Sequence, residues 1–289
     1  MSNYKFSGHE TFHCRHFWIK KGVDFVDNGY SFKSDTAVVE LGVGKNMVTS
    51  INYWLQVFDL IEDNSLSDFA KKIFRENGFD PYLEDISTIW LLHYKLLKKN
   101  SASIYRLIFE EFRKTRVSSE FTVNQLFDFL NRKLVLNDQS ISSTTIDSDI
   151  KVFIKNYISS NERSNKNLED DFSSIFIALN LISTIPDSFE NGLPIYLIEY
   201  NNKNNLNPLI LLYAIKDSFE DEISIPVSEI QSKVSDLFLC NREGTEEKLL
   251  FLQENGYLVY KENAGRKEIQ FKDNRDIWDI LNEYYETYA

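Results

Sequence analysis

The apolar residues of the stretch 35–58 recur at the spacing that two short helices crossing over a tight turn require. With Gly42 as the turn residue, five side chains are expected to face inward: Ala37, Leu41, Val43, Val48 and Ile51. Glycine suits such a turn because a left-handed backbone carries no Cβ penalty there. The stretch therefore predicts a helix-turn-helix, a motif that can place its second helix in the major groove of DNA.

The exposed face of the second predicted helix carries side chains of the kinds that bond to phosphates and base edges. These residues are Lys45, Asn46, Thr49, Asn52 and Tyr53. Helix-turn-helix pairs also serve as packing units in protein-protein modules, so a purely hydrophobic corner remains the alternative. A phosphate-binding loop at 42–46 is disfavoured, because that motif needs glycine where Val39 stands and Ser or Thr where Asn46 stands.

Composition limits the class of protein. The chain has 289 residues, and its content of 43% hydrophobic residues is enough for well-packed cores. Cys14 and Cys240 are far apart and give no disulfide framework, which predicts a reducing, cytoplasmic compartment. The N-terminus lacks the apolar run of a signal peptide, and no apolar stretch is long enough to span a bilayer, so no membrane association is expected.

Net charge bears on DNA binding, because affinity for a polyanion comes largely from Lys and Arg. The formal charge of −12 argues against non-specific binding. The acidic excess is nevertheless confined to one half of the sequence: residues 1–135 carry a net charge of +1 and residues 136–289 carry −13. A DNA-binding site in the first half therefore remains possible, with modest affinity or with help from a partner.

Periodicity predicts a mainly α fold with small β wings, in three regions: an N-terminal helical domain with the helix-turn-helix (1–135), a helical middle region (136–220) and a winged-helix-like domain (221–289). Ser7 and Glu10 have the spacing of a capping box, which predicts a helix over 8–21 that ends at Gly22. Asp80 before Pro81 predicts the start of another helix that reaches about residue 99. Polar stretches at 137–145 and 159–171 are expected to be loops.

The C-terminal region has the element order of a winged helix: helices over 227–235 and 245–254, then a hairpin within 256–271. The second helix carries three glutamates and one lysine, which favours a structural or protein-binding role. DNA contact by Arg266 and Lys267 in the wing is the alternative.

Two groups of residues could hold a metal ion. His9, Glu10 and His13 match the HExxH pattern of zinc hydrolases, but no third ligand stands at a recognisable spacing. Asp80, Glu84 and Asp85 form an acidic group that is also explained by helix capping. No catalytic residue, metal site or cofactor is assigned, and an enzyme is the less favoured interpretation.

Three blocks of sequence resemble the bacterial domain of unknown function 4007 family: FSGHETF with Trp18, Lys20 and Lys21, then VVELGVGKNMVTSINYWL, then DPYLEDISTIWLLHYKL. Weaker similarity extends to LCNREG and AGRKEIQF, so the resemblance covers nearly the whole chain. It implies a setting in sulfur-linked DNA modification (phosphorothioation) and anti-phage defence, beside proteins that resemble phosphoadenosine-phosphosulfate reductases. It implies no established activity, and His13 departs from the family block.

The leading hypothesis is a non-catalytic DNA-binding or adaptor subunit of a bacterial DNA-modification or defence system. Its expected partners are double-stranded DNA and a modification or restriction enzyme, such as a phosphoadenosine-phosphosulfate-reductase-like protein. A metal-dependent hydrolase or nuclease of the same pathway is one alternative. A protein-protein scaffold that does not touch DNA is the other.

Overall fold

The computed structural model of the protein describes residues 3–159, 174–220 and 222–289. The predicted mainly α class is confirmed, because the described residues form twelve α-helices and eight short strands in small antiparallel sheets. Apart from residue 159, the loop expected at 159–171 lies outside the described residues. Within the described ranges, no helix has both the length and the hydropathy needed to cross a membrane.

The chain divides into two compact units. The first consists of Met1–Glu84 and Lys95–Glu199, and the second of Asp85–Tyr94 and Tyr200–Ala289. The boundaries expected at 135 and 220 do not coincide with this division, since residue 135 lies within the first unit and residue 220 within the second.

The first unit is built mainly from helices. They are α1 (His16–Asp27), α2 (Ala37–Leu41), α3 (Lys45–Val57), α4 (Asp68–Phe74), the last part of α5 (Ile86–Lys99), α6 (Ser103–Arg106), α7 (Val123–Leu136) and α8 (Ser143–Tyr157). A π-helix, Leu107–Phe112, continues α6, and a 3₁₀-helix spans Ile175–Leu179. Strands β1 (Ile61–Glu62) and β2 (Ser65–Leu66) form a hairpin, whereas β3 (Glu120–Phe121), β4 (Ile182–Glu190) and β5 (Leu193–Ile198) form an antiparallel sheet in the order β3-β5-β4.

Helix α1 crosses α3 closely at Gly22. A Cβ atom added to Gly22 would lie 2.5 Å from Leu55 Cδ1 and 2.8 Å from Ile51 Cγ2. The predicted helix end at Gly22 is therefore wrong, because this glycine lies inside α1 and permits the close approach of α3.

The helix predicted to begin after Asp80 begins instead at Ile86. Asp80 Oδ1 accepts a hydrogen bond from the Glu84 amide at 2.8 Å, so the aspartate stabilises a turn before the helix. Leu83 has φ of 58°, a left-handed value that no α-helix accommodates. The capping signal is thus satisfied by a turn that precedes α5.

The second unit contains the start of α5, α9 (Pro208–Ser218), α10 (Val227–Lys233), α11 (Arg242–Glu254) and α12 (Ile277–Tyr288). Its strands β6 (Ile225–Pro226), β7 (Leu258–Asn263) and β8 (Arg266–Phe271) form an antiparallel sheet in the order β6-β8-β7. The two helices and the hairpin expected from the sequence are present, with α11 beginning at Arg242 rather than 245. Ala264 and Gly265, both with positive φ, make the tight β7–β8 turn.

His93 lies in the core of the second unit. Its Nε2 donates to the Leu237 carbonyl oxygen at 3.0 Å, and the side chain is fully buried. Burial lowers the pKa of this imidazole to about 3, because the charged form would lose its hydration. His93 is therefore a neutral, hydrogen-bonded core residue.

Candidate nucleic-acid interface

Helices α2 and α3 meet over the glycine turn predicted from the sequence. Gly42 ends α2 with φ of 62° and ψ of 36°, which is left-handed backbone. A Cβ atom there would meet no atom of the described residues within 4 Å, so glycine is favoured by conformation and not by lack of space. Four of the five side chains expected inside are buried, namely Ala37, Leu41, Val48 and Ile51, and Val43 is half-buried.

The N-terminus of α3 has no side-chain cap. Gly44 occupies the capping position with extended backbone, and the first turn contains no acidic residue. The first amide N–H groups of a helix have no partner inside the helix, and they carry the positive end of its dipole. This end of α3, where Lys45 and Asn46 are exposed, can therefore accept an anion.

The predicted contact residues differ in how freely they can reach a ligand. Lys45, Asn46 and Thr49 are exposed, whereas Asn52 and Tyr53 are half-buried. The Thr49 hydroxyl donates to the Lys45 carbonyl oxygen at 3.3 Å, and the Asn52 side-chain oxygen accepts from Gln56 at 3.4 Å. The first turn of α3 is consequently the most accessible part of this surface.

Tyr53 supports the loop that precedes α1. A Cβ atom on Gly8 would lie 2.6 Å from Tyr53 Cδ2, and the His9 and Tyr53 rings meet edge to face at 5.9 Å between centroids. Burial, and then the nearby Asp149 carboxylate, raise the pKa of the Tyr53 hydroxyl above its usual range. The ring of Tyr53 is thus engaged within the protein, unlike the side chains of Lys45 and Asn46.

Asp149, on α8, holds the loop in place. Its two carboxylate oxygens accept from the Ser7 amide at 3.1 and 3.0 Å, and Oδ1 also bonds to His9 Nε2 at 3.0 Å. The helix predicted over 8–21 is wrong at its start, because Ser7 and Glu10 have φ of 62° and 47° and α1 begins only at His16. Bonds to a residue 140 positions away override the local capping signal.

Both ring nitrogens of His9 are occupied. The Thr11 amide donates to Nδ1 at 3.1 Å, so the ring proton is on Nε2, which donates to Asp149. The His9–His13 segment is also not helical, so the one-turn spacing of an HExxH site is absent. His9 therefore orders the loop, and its arrangement does not suit a metal ligand or a general base.

The acidic residues near the start of α5, a candidate metal site from the sequence, form hydrogen bonds that stabilise the local structure. Asp80 is bonded to the Glu84 amide, and Asp85 Oδ1 accepts from the Ser87 amide at 2.7 Å and from the Tyr284 hydroxyl at 3.0 Å. Over the described ranges, no three His, Cys, Asp or Glu side chains are grouped so that they could hold a metal ion. The two cysteines are buried, and burial raises the pKa of both thiols, which disfavours the reactive thiolate.

The hairpin and α11 of the second unit form the other candidate surface. Lys267 Nζ lies 2.8 Å from Glu246 Oε2, and Arg242 Nε lies 3.0 Å from Glu246 Oε1. The hydrogen bond from Lys267 is the main cause of the lowered pKa of Glu246. Of the two predicted wing contacts, Lys267 is thus paired with a carboxylate and Arg266 is exposed.

Sequence reasoning missed the role of Asp149 and of Asn156, which lies two turns further along α8. Asn156 Oδ1 accepts from the Cys14 amide at 3.1 Å and from the Ser174 hydroxyl at 3.0 Å. The only available signal was the polar character of two residues on an otherwise apolar helix face. Such a signal indicates buried hydrogen bonds but does not identify their partners.

These residues define a mainly helical protein with an exposed, uncapped helix N-terminus beside a tightly bonded loop. The chain belongs to the family described as Protein of unknown function (DUF4007), which matches residues 6–285. No protein of curated function matches it.

Two solved structures share its fold. One, titled "SspB crystal structure", is 25% identical with a TM-score of 0.83, covering 98% of this chain and 88% of that chain. The other, titled "Magnesium ion-bound SspB crystal structure", is 24% identical with the same TM-score and coverage.

Proposed function

We propose that this protein is a non-catalytic DNA-binding or adaptor subunit of a bacterial DNA-modification or anti-phage defence system. Membership of the DUF4007 family and the fold shared with SspB support this setting. The partners are double-stranded DNA and a modification or restriction enzyme, such as a phosphoadenosine-phosphosulfate-reductase-like protein.

The observation that carries the proposal is the exposed first turn of α3. Gly44 leaves the terminal amide groups uncapped, and Lys45 and Asn46 stand beside them without an acidic neighbour in that turn. Amide groups, a lysine and a carboxamide form a site for a DNA phosphate and an adjacent base edge. We assign α2 and α3 to a helix-turn-helix in which α3 is the groove-reading helix.

Further along α3, Thr49 and Asn52 supply the contacts to DNA. Tyr53 acts differently, because its ring packs against Gly8 and His9. We assign Tyr53 the role of fixing the loop beside the helix, with its contribution to DNA binding being indirect.

We assign residues 221–289, within the second unit, to a winged helix that binds a partner protein. The outer surface of α11 bears Glu243, Glu246 and Glu247, and a surface with this charge repels DNA phosphates. The charge of Lys267 is offset by its ion pair with Glu246, so Arg266 is the wing residue that remains for a contact with DNA.

The decisive experiment is a fluorescence-anisotropy titration of labelled duplex DNA with wild-type protein and with Lys45→Glu/Asn46→Ala. The double variant removes an amide hydrogen-bonding group and reverses one charge, so we expect an affinity loss of roughly tenfold or more at low salt. Lys151→Glu, a charge reversal on the exposed face of α8, is the matched control and should bind much as the wild type does.

Equal affinities for the wild type and the double variant would refute the assignment of α3. A flat titration for the wild type, together with capture of a partner enzyme, would instead identify a scaffold that does not touch DNA.

A second candidate is a metal-dependent hydrolase or nuclease of the same pathway, which we keep because one of the two SspB structures is titled as magnesium ion-bound. In the part of the chain that the structure describes, no three Asp, Glu, His or Cys side chains are grouped so that they could bind a metal ion. Incubating supercoiled plasmid with the protein and MgCl₂ tests this candidate. Nicking that is abolished by chelation would support it, and an intact plasmid would exclude it under those conditions.

A further inference from the structure

A groove of about 760 Å³ lies on the first unit, between the end of the π-helix and α7. Phe112, the last residue of the π-helix, and Phe129 of α7 are among its lining residues, and their rings are in contact at 5.2 Å between centroids. This volume is within the range of ligand-binding clefts.

The charge of the groove is opposite to that of the whole chain. Arg116, Arg132 and Lys133 line it, whereas Asp128 is the one carboxylate among the lining residues. Lys133 Nζ lies 2.5 Å from Glu111 Oε2, so the charge of Lys133 is partly offset. Arg132 is exposed. An excess of cations in a protein with a net charge of −12 indicates an anionic ligand.

Arg116 has hydrogen-bonding capacity that the protein does not use. Its Nη2 donates to the Glu120 carbonyl oxygen at 2.9 Å, and its guanidinium lies 5.1 Å from the centre of the Phe112 ring. Its Nε is buried and has no hydrogen-bond partner among the described residues. A buried donor without an acceptor is costly. The half-buried Arg116 side chain lines the groove, so its charge is available to an oxyanion bound there.

The π-helix that ends at the groove is an independent indication of a functional site. π-Helical turns are rare, and they frequently occur at functional sites. The six-residue segment Leu107–Phe112 ends at the groove and precedes Arg116 by one turn.

We propose that this groove binds the phosphoryl group of a ligand, through the guanidinium groups of Arg116 and Arg132 with support from Lys133. Planar guanidinium groups suit phosphate oxygens because they donate two parallel hydrogen bonds. The phosphoryl group belongs either to a free nucleotide or to a nucleic-acid backbone. The site is separate from α3, so neither assignment depends on the other.

Two titrations test the proposal, one with pyrophosphate by equilibrium dialysis and one with duplex DNA by anisotropy. Arg132→Ala and Arg116→Lys should each weaken binding about tenfold, since each removes charge-assisted hydrogen bonds. Asp128→Asn should strengthen it, because a repelling carboxylate is removed. Lys151→Ala, which removes a cation from α8 outside the groove, is the control, and Arg132 is exposed, so its replacement should leave the unfolding midpoint unchanged.

Loss of pyrophosphate binding in the arginine variants would identify a free phosphorylated ligand. Loss of duplex binding alone would place a nucleic-acid backbone in the groove. If neither probe responds to the arginine variants or to Asp128→Asn, the proposal is wrong. Lys45→Glu/Asn46→Ala should leave pyrophosphate binding intact, which separates this site from the one on α3.

Discussion

At the scale of single residues, the loop before α1 depends on one buried carboxylate. Asp149 is 2% exposed and accepts hydrogen bonds from the Ser7 amide and from His9. A buried charge is tolerated only when it is well bonded, and its partners become unsatisfied when it is removed. Residues 9–12 (HETF) therefore act mainly by ordering the loop that packs against Tyr53 of α3.

Asp149→Asn should lower the free energy of unfolding by about 2–4 kcal/mol, because an amide cannot replace both carboxylate oxygens as acceptors. Asp147→Asn changes the same kind of side chain two residues earlier on an exposed surface, and should cost less than about 0.5 kcal/mol. Urea denaturation of both variants measures the difference. Similar losses in the two variants would mean that the Asp149 bonds contribute little.

At the scale of elements, the same capping signal succeeds at one place and fails at another. Thr122 and Gln125 form a capping box at the start of α7, in which each side chain bonds to the backbone amide of the other residue. Ser7 and Glu10 have the same spacing, but the Ser7 amide bonds to Asp149 and the helix starts nine residues later. The spacing of apolar residues therefore located α3. The loop before α1 depends on contacts distant in sequence, and the π-helix has a local geometry that no spacing rule describes.

The start of α3 provides an element-scale prediction in which stability and binding change in opposite directions. Gly44 has the backbone of a helix N-cap, and a Cβ atom there would lie more than 4 Å from every atom in the described part of the chain. Gly44→Asp should leave the free energy of unfolding unchanged or raise it by a few tenths of a kcal/mol, because the aspartate carboxylate caps the helix. The same carboxylate should weaken DNA binding by repelling a phosphate.

Gly44→Ser is the matched control, since it caps the helix without adding charge. Thermal unfolding and duplex titration are measured on both variants. Equal DNA affinities for the aspartate variant and the wild type would argue against a phosphate at this helix end.

At the scale of the whole molecule, charge separates the two proposed roles along the sequence. Residues 1–135 are nearly neutral and contain α3 and the cationic groove, whereas residues 136–289 carry the acidic excess. Few cations are therefore available for phosphates, and the intrinsic affinity for duplex DNA should be modest and dependent on salt. The glutamates on the outer surface of α11, which lies in that acidic half, are suited to a basic surface on a partner protein that supplies the remaining affinity.

The most direct test of the central claim is the salt dependence of duplex binding by the wild type and by Lys45→Gln. If Lys45 contacts a phosphate, the slope of log K against log salt should become less steep by about one unit in the variant. Lys151→Gln should retain the wild-type slope. An unchanged slope for Lys45→Gln, with binding intact, would contradict the assignment of α3 as the DNA-contacting helix.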